Sequence, residues 1–518
     1  MKTRFILLLT CSFLFGMEKN YPEIIEIAVQ EHKYVPSEFN RLIIYQVMVE
    51  SFQDGDPDRN YGQGYGTSHH CGDLRGIIEA LPYIKSLNVN ALWVTPVFDS
   101  EKGTPRYNPD FPPDIKLDAT GYFPRNYFRI DPNFGTLADA REMVDKAHEL
   151  GLYVIFDGVF GHNKGNVLPS PRGNQPFGKS TQVDFPESLE FAREVVTYWI
   201  DELNIDGWRL DQAYQIPVEN LYKLQKTVTD HCAKRKAAGM KWGTLGYVVG
   251  EIFDVFQKIQ IYGYGTNENP GLVSNFNFPL RYRMVQCLAG EEKGLRIPDT
   301  KVLFEGFETH WVYPDFSVPN LMLTNHDLVR FGDLIQRNGL ENPDHSHYWR
   351  RHRCAFAFMA AYTGPITLYY GDEIGEELEG FADKIDDPAA ECWNSGLCDD
   401  HVSRTSGRID NFSREEQALK DYVADLMKFR GEHEALYNGE AVNLMAGGNL
   451  YADLKYTDKE KILFVMNIGP GENWIEIPVE ILKCQRLADA FSPKIIEPQQ
   501  DIFKISVDAL ETGFYVCQ

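Results

Sequence analysis

Basic residues are scarce in this chain. Lysine and arginine number 51 against 75 aspartates and glutamates, a formal net charge of −24 at pH 7 over 518 residues. Such an acidic field repels phosphate backbones and anionic lipid headgroups, which disfavours nucleic acid and a charged membrane surface as partners. Long apolar runs are missing as well. The one segment able to meet lipid is residues 5–15, preceded by Lys2 and Arg4 and followed by Gly16. It is too short to span a bilayer and has the basic and apolar regions of a signal peptide. Residues 1–16 are therefore expected to be a leader, and the protein to be exported (periplasmic or extracellular) with no integral span. Thr10-Cys11 closes an imperfect lipidation signal, so a lipid anchor at Cys11 is a lesser alternative. Cysteines are few, nine in all, and none shows the paired spacing of a zinc site. Cys392 and Cys398 either close a small disulfide loop in an oxidising compartment or stay free thiols. Low-complexity tracts and internal repeats are also lacking.

What remains is an ordinary globular composition, 43% hydrophobic and 24% charged, with 13% aromatics that suit surfaces stacking on flat rings or sugar faces. Short β-branched or aromatic runs at 42–52, 89–98, 152–160, 205–211, 247–254, 272–279, 320–327 and 366–373 read as eight strands. Helical periodicity fills most of the intervals, at 73–87, 136–150, 188–203 and 219–238. Eight apolar strands alternating with helices predict an α/β fold, a (β/α)8 TIM barrel. Its expected extent is 41–435, after an N-terminal segment at 17–40. Long loops follow the second and third strands, at 99–135 and 161–187, and loops of that length wall the active site of a barrel. From 436 to 518 short strands in a polar background predict an antiparallel β-sandwich.

The chemistry is concentrated at the strand ends. The third strand ends at Asp157 with His162 beyond it, the fourth at Arg209-Leu210-Asp211, the fifth at Gly250-Glu251 and the seventh at Asn325-His326-Asp327. In a barrel these ends meet at one mouth. Grouping that many acids costs several kcal/mol unless they are paired, so packing alone does not account for them. Two carboxylates suit glycoside cleavage. Asp211 lies two residues from Arg209, on the same face of its strand, where a guanidinium holds it ionised. Glu251 follows an apolar run, and burial beside other acids would keep its proton near neutral pH. Asp327 would brace sugar hydroxyls and the positive charge of the transition state.

These stretches, with Ala91–Pro96, Tyr127–Gly135 and Tyr370–Glu373, resemble the α-amylase superfamily, glycoside hydrolase family 13, from about residue 40 onward. The resemblance implies a retaining mechanism on α-glucosidic bonds, with Asp211 as nucleophile, Glu251 as acid/base and Asp327 as transition-state stabiliser. It implies a substrate-binding set of Tyr122, Asp157, His162, Arg209 and His326, a short inserted domain B at 161–187 and a C-terminal β-domain. Gly161 and Gln215 depart together from the pattern that supplies calcium ligands between the barrel and domain B, so that site is expected to be absent. Asp54, Asp56 and Asn60, with Asp73, are instead similar to a Ca2+ loop after the first strand. The expected substrate is an oligo- or polysaccharide, starch or maltodextrin cut at α-1,4 bonds. A transglycosylase or isomerase handling trehalose or sucrose would use the same residues, and a non-catalytic sugar-binding relative is a third reading.

Overall fold

The computed structural model describes residues 29–63, 69–100, 106–107, 115–116, 119–163, 165–378 and 403–518. The leader, Cys11, Cys392 and Cys398 lie outside the described residues. Eight parallel strands form the centre. They are β1 (Ile43–Val47), β2 (Ala91–Val94), β3 (Tyr153–Gly158) and β4 (Gly207–Leu210), then β5 (Tyr247–Gly250), β6 (Ser274–Asn275), β7 (Leu321–Met322) and β8 (Ile366–Tyr369). Their hydrogen-bonded order is β6-β5-β4-β3-β2-β1-β8-β7, and a parallel bridge from Phe276 to Asn320 closes the ring. Both faces of these strands are covered, which is why they read as unbroken apolar runs rather than alternating ones. The expected (β/α)8 barrel is the fold.

The helices outside the ring owe their ends to local signals. Asp73 caps α1 (Leu74–Ser86) by accepting from the Gly76 amide. Thr136 and Asp139 form a reciprocal capping box on α2 (Leu137–Glu149), satisfying two otherwise orphaned backbone donors. Asn204, in the left-handed conformation, ends α3 (Leu189–Leu203), and α4 (Val218–Ala237) starts after Pro217. Between β5 and β6 there is only a short helix at Phe256–Ile259 continuing into an irregular turn.

The C-terminal part is an antiparallel sheet of seven strands against a second pair, Asn473–Pro478 with Ile502–Val507. Ile475, Ile477, Phe503 and Ile505 from the pair bury against Leu463 and Val465 of the larger sheet, the sandwich core that alternation predicts. One strand escapes the sequence pattern. Glu440–Gly447 carries a bulge between Asn443 and Met445, which breaks the period of two. The N-terminal segment is not independent of this domain: Gln30 and Glu31 pair with Asn443 and Val442 at the edge of the sheet. Just beyond, buried His32 bonds to Asp453 at 3.0 Å.

Gly207 fixes how closely β4 approaches β5. It stands opposite Tyr247 in the parallel register, and a methyl group there would run into the Tyr247 carbonyl oxygen. Gly207→Ala is expected to destabilise the barrel by about 2 kcal/mol, the usual penalty of overpacking, read as a lower urea midpoint. An unchanged midpoint would show that the two strands are not in forced contact.

Candidate active site

Parallel register aligns the chemical groups. Asp157 of β3 stands beside Arg209 of β4, and Arg209 beside Val249 of β5. One residue past the ladder, the Asp211 amide bonds to the Gly158 carbonyl (3.0 Å) and the Glu251 amide to the Leu210 carbonyl (3.0 Å). The acids therefore leave their strands at the same level of the barrel.

Arg209, 1% exposed, is the hub. Its Nη1 donates to Asp157 Oδ1 (2.8 Å) and Oδ2 (2.9 Å) and to Asp211 Oδ1 (2.9 Å). Its Nη2 lies 2.7 Å from Glu251 Oε2. Trp93 and Tyr122 cover its faces at 5.3 and 5.6 Å from their ring centroids. Burial alone would lower the Arg209 pKa, yet Asp157 and Glu251 hold it well above its ordinary value, so the guanidinium is permanently charged. The carboxyls respond oppositely. Burial pushes Asp157 and Asp211 up to about 6 against the pull of Arg209. It pushes Glu251 up to about 7, with Asp211 and Asp327 adding to the rise.

The two central acids are held differently. Asp211 Oδ1 is tied to Arg209, whereas Oδ2 is buried without a hydrogen-bond partner and has His162 Nε2 at 3.7 Å. That is an oriented carboxylate with one oxygen left to react. Glu251 receives the Gln212 amide on Oε2 (3.1 Å), which fixes its direction. The third acid, Asp327, accepts from Arg404 Nη2 (3.0 Å) and lies 3.3 Å from His326 Nε2. Burial would raise its pKa, but the neighbouring His326 ring and the Arg404 and Arg209 guanidinium groups bring it below the ordinary value.

Around them runs a buried relay. Gln46 Nε2 lies 2.8 Å from His326 Nδ1, His326 Nε2 lies 2.8 Å from the Tyr122 hydroxyl, and that hydroxyl donates to Asp157 Oδ2 at 3.0 Å. Burial lowers the His326 pKa to about 3, so the ring is neutral, accepting from Gln46 and donating to Tyr122. The Tyr122 and His326 rings stack at 5.3 Å with planes 1° apart. Asp157, expected among the substrate contacts, has 0% exposure; it meets Arg209, Tyr122 and Trp93. It is held there as a support for Arg209 and Tyr122.

Sequence reasoning passed over four partners: Gln46, Trp93, Gln215 and Arg404. Gln46 had a signal, a lone amide inside an apolar strand, which must have a partner when buried. Arg404 had none, because its approach to Asp327 depends on a loop far along the chain. The donors expected to hold calcium behave otherwise. Asp73 accepts from the Gly55, Asp56 and Gly76 amides (3.1, 2.8 and 2.7 Å), and Asp56 pairs with Arg59 at 2.9 Å. Asn60 donates to the Pro57 carbonyl at 3.1 Å. Among the described residues no three His, Cys, Asp or Glu side chains gather as metal ligands. As placed, these donors hold calcium only if Arg59 releases Asp56.

A parallel barrel with an oriented carboxylate and a proton-holding one on its rim defines a class: an enzyme that cleaves glycosidic bonds. Residues 46–169 and 182–440 match the family model described as the alpha amylase catalytic domain. The chain belongs to the α-amylase superfamily, glycoside hydrolase family 13. It is 25% identical over 513 residues to a cyclomaltodextrinase of Thermoanaerobacter pseudethanolicus, covering 90% of this chain and 77% of that protein. It is also 25% identical to alpha-amylase 3 of Dictyoglomus thermophilum, across 93% of this chain and 94% of the relative. Among solved structures, AmyP in complex with maltotriose superimposes with a TM-score of 0.87 and 46% identity, over 93% of this chain and 98% of that one.

The raised pKa of Glu251 has a consequence for stability. The folded state holds this proton more tightly than an unfolded chain, in which the carboxyl titrates near its ordinary 4.5. Ionising it therefore costs stability progressively as pH rises from that value toward about 7, and the cost is complete above. Glu251→Gln removes the ionisation. The variant is expected to melt above the wild type at pH 8 and to lose most of that advantage at pH 5. An equal difference at both pH values would contradict the raised pKa.

Proposed function

We propose that the protein is a retaining hydrolase of α-1,4-glucosidic bonds in maltodextrins and starch fragments. The observation that carries this reading is the asymmetry on Arg209: Asp211 keeps one unpartnered oxygen, while Glu251 keeps a proton. Asp211 Oδ2 attacks the anomeric carbon as Glu251 protonates the departing glycosidic oxygen. The C–O bond to the leaving sugar breaks and an ester to Asp211 forms. Glu251, now ionised, takes a proton from water, whose oxygen attacks the same carbon and frees Asp211. Asp327 and its partners bind hydroxyls of the same ring and favour its developing positive charge. Both carboxylates touch one guanidinium, which supports the short separation of a retaining pair over the wider one of an inverting pair. Maltotriose and maltose bound to AmyP support the choice of ligand class, as do relatives named cyclomaltodextrinase, neopullulanase and maltogenic amylase.

Incubation with maltotriose, soluble starch, pullulan, cyclodextrin, trehalose and sucrose, followed by chromatography, tests the reading. Shorter maltooligosaccharides are expected, and Asp211→Asn should reduce their formation by roughly 10³-fold or more. Longer or isomeric sugars would move the protein to the transglycosylase reading, and turnover unaffected in Asp211→Asn would remove the nucleophile. Calcium at 54–60 is part of the same proposal, with the Asp54 carboxylate and Asn60 Oδ1 as donors; binding would require Arg59 to release Asp56. Stoichiometric calcium in the purified protein is the expected result, and its absence would discard the site.

A further inference from the structure

Gln215 and Gly161 are linked by a fit rather than by coincidence. The Gln215 side chain lies across Gly161 so closely that a methyl group at 161 would run into its Oε1 and Cβ atoms. From that position the amide uses both ends. Oε1 lies 3.0 Å from His162 Nδ1, and Nε2 donates to Gln212 Oε1 at 3.0 Å. Gln212 Oε1 also accepts from the Tyr214 hydroxyl at 2.8 Å. As placed, the Gln215 amide turns its nitrogen to Gln212 and its oxygen to His162. An amide oxygen only accepts, so His162 must present a proton on Nδ1. Gln212 itself holds an unusual backbone, φ 39°, from which its amide reaches Glu251 Oε2.

We infer that Gln215 is a positioning residue for the nucleophile, acting through the tautomer of His162. The inference rests on the hydrolase reading above. With the proton held on Nδ1, the ring turns Nε2 toward the pocket as an acceptor, 3.7 Å from Asp211 Oδ2. Nε2 then accepts from a sugar hydroxyl and leaves Oδ2 unblocked for attack. Without the Gln215 oxygen the proton is free to move to Nε2. There it donates to Asp211 Oδ2, occupying the attacking oxygen's lone pair and stabilising the carboxylate anion, which lowers both its pKa and its nucleophilicity. The other charged or titratable groups facing Asp211 are Arg209, Asp157, Glu251, Asp327, Tyr122, Tyr127 and Tyr214, and none of them bonds to Oδ2.

Gln215→Leu keeps the bulk over Gly161 and removes both hydrogen bonds. It is expected to lower kcat/KM about tenfold and to move the acidic limb of its pH profile to lower pH. Gln215→Glu restores an acceptor for His162 and is expected to recover to within about threefold of the wild type. Gly161→Ala, which displaces the amide without altering it, should reproduce the shifted limb. A Gln215→Leu enzyme with the wild-type rate and limb would overturn the inference. So would equal losses in Gln215→Leu and Gln215→Glu with the limb unmoved, which is the signature of packing alone. A wild-type protein inactive on every sugar in the panel would instead overturn the hydrolase reading, and this inference with it.

Discussion

Three carboxyl groups converge on a single guanidinium, and the chemistry follows from how that charge is shared. Arg209 binds both oxygens of Asp157, one oxygen of Asp211 and one of Glu251. One positive charge cannot compensate three buried negative ones, and the desolvation penalty is met by retaining protons. A shared guanidinium orients all three acids while burial and mutual repulsion lift their pKa values. Asp211 keeps a buried oxygen that no hydrogen bond engages, and it is the proposed nucleophile. Replacing the arginine with lysine would keep a charge and lose the fork that makes this arrangement possible.

The barrel supplies the geometry that the guanidinium needs. Parallel pairing sets Asp157, Arg209 and the chain before Glu251 side by side without any loop having to find them. Loops then add the supports. Arg404 reaches Asp327 from a segment 77 residues downstream, and Tyr122 enters from the excursion after β2 to stack on His326. Strands thus supply Gln46, Trp93, Asp157 and Arg209, and the chain beyond their carboxyl ends supplies the remaining groups, as expected for a barrel mouth.

That division also sets what could be read from the chain. The eight strands, α1 and α2, and the three acids beyond strand ends are local patterns, and the strands and helices fall within the runs that periodicity marked. Gln46, Gln215 and Arg404 are contacts across the fold, and a single polar residue does not declare its partner. Asp157 shows the converse: its position at a strand end was legible, but its complete burial beneath Arg209 depends on Tyr122 and Trp93 arriving from elsewhere. The acidic loop at 54–60 shows a related limit. Asp56 and Asp73 look like ligands in sequence, yet their oxygens serve Arg59 and a helix cap. The two-residue strand at Gln30–Glu31 was illegible because its partner lies more than 400 residues away.

The most direct test of the shared-guanidinium account is the pH dependence of kcat/KM for a maltooligosaccharide. Asp211 must be ionised to attack, so the rate should rise as pH passes through about 6. Glu251 must carry its proton, so the rate should fall through about 7. Because the two acids interact, the limbs belong to the pair. The expected result is a narrow bell centred between those values. A plateau that begins near the ordinary carboxyl pKa of about 4 and extends past pH 8 would contradict it, because the carboxyls would then be titrating without the burial and crowding around Arg209.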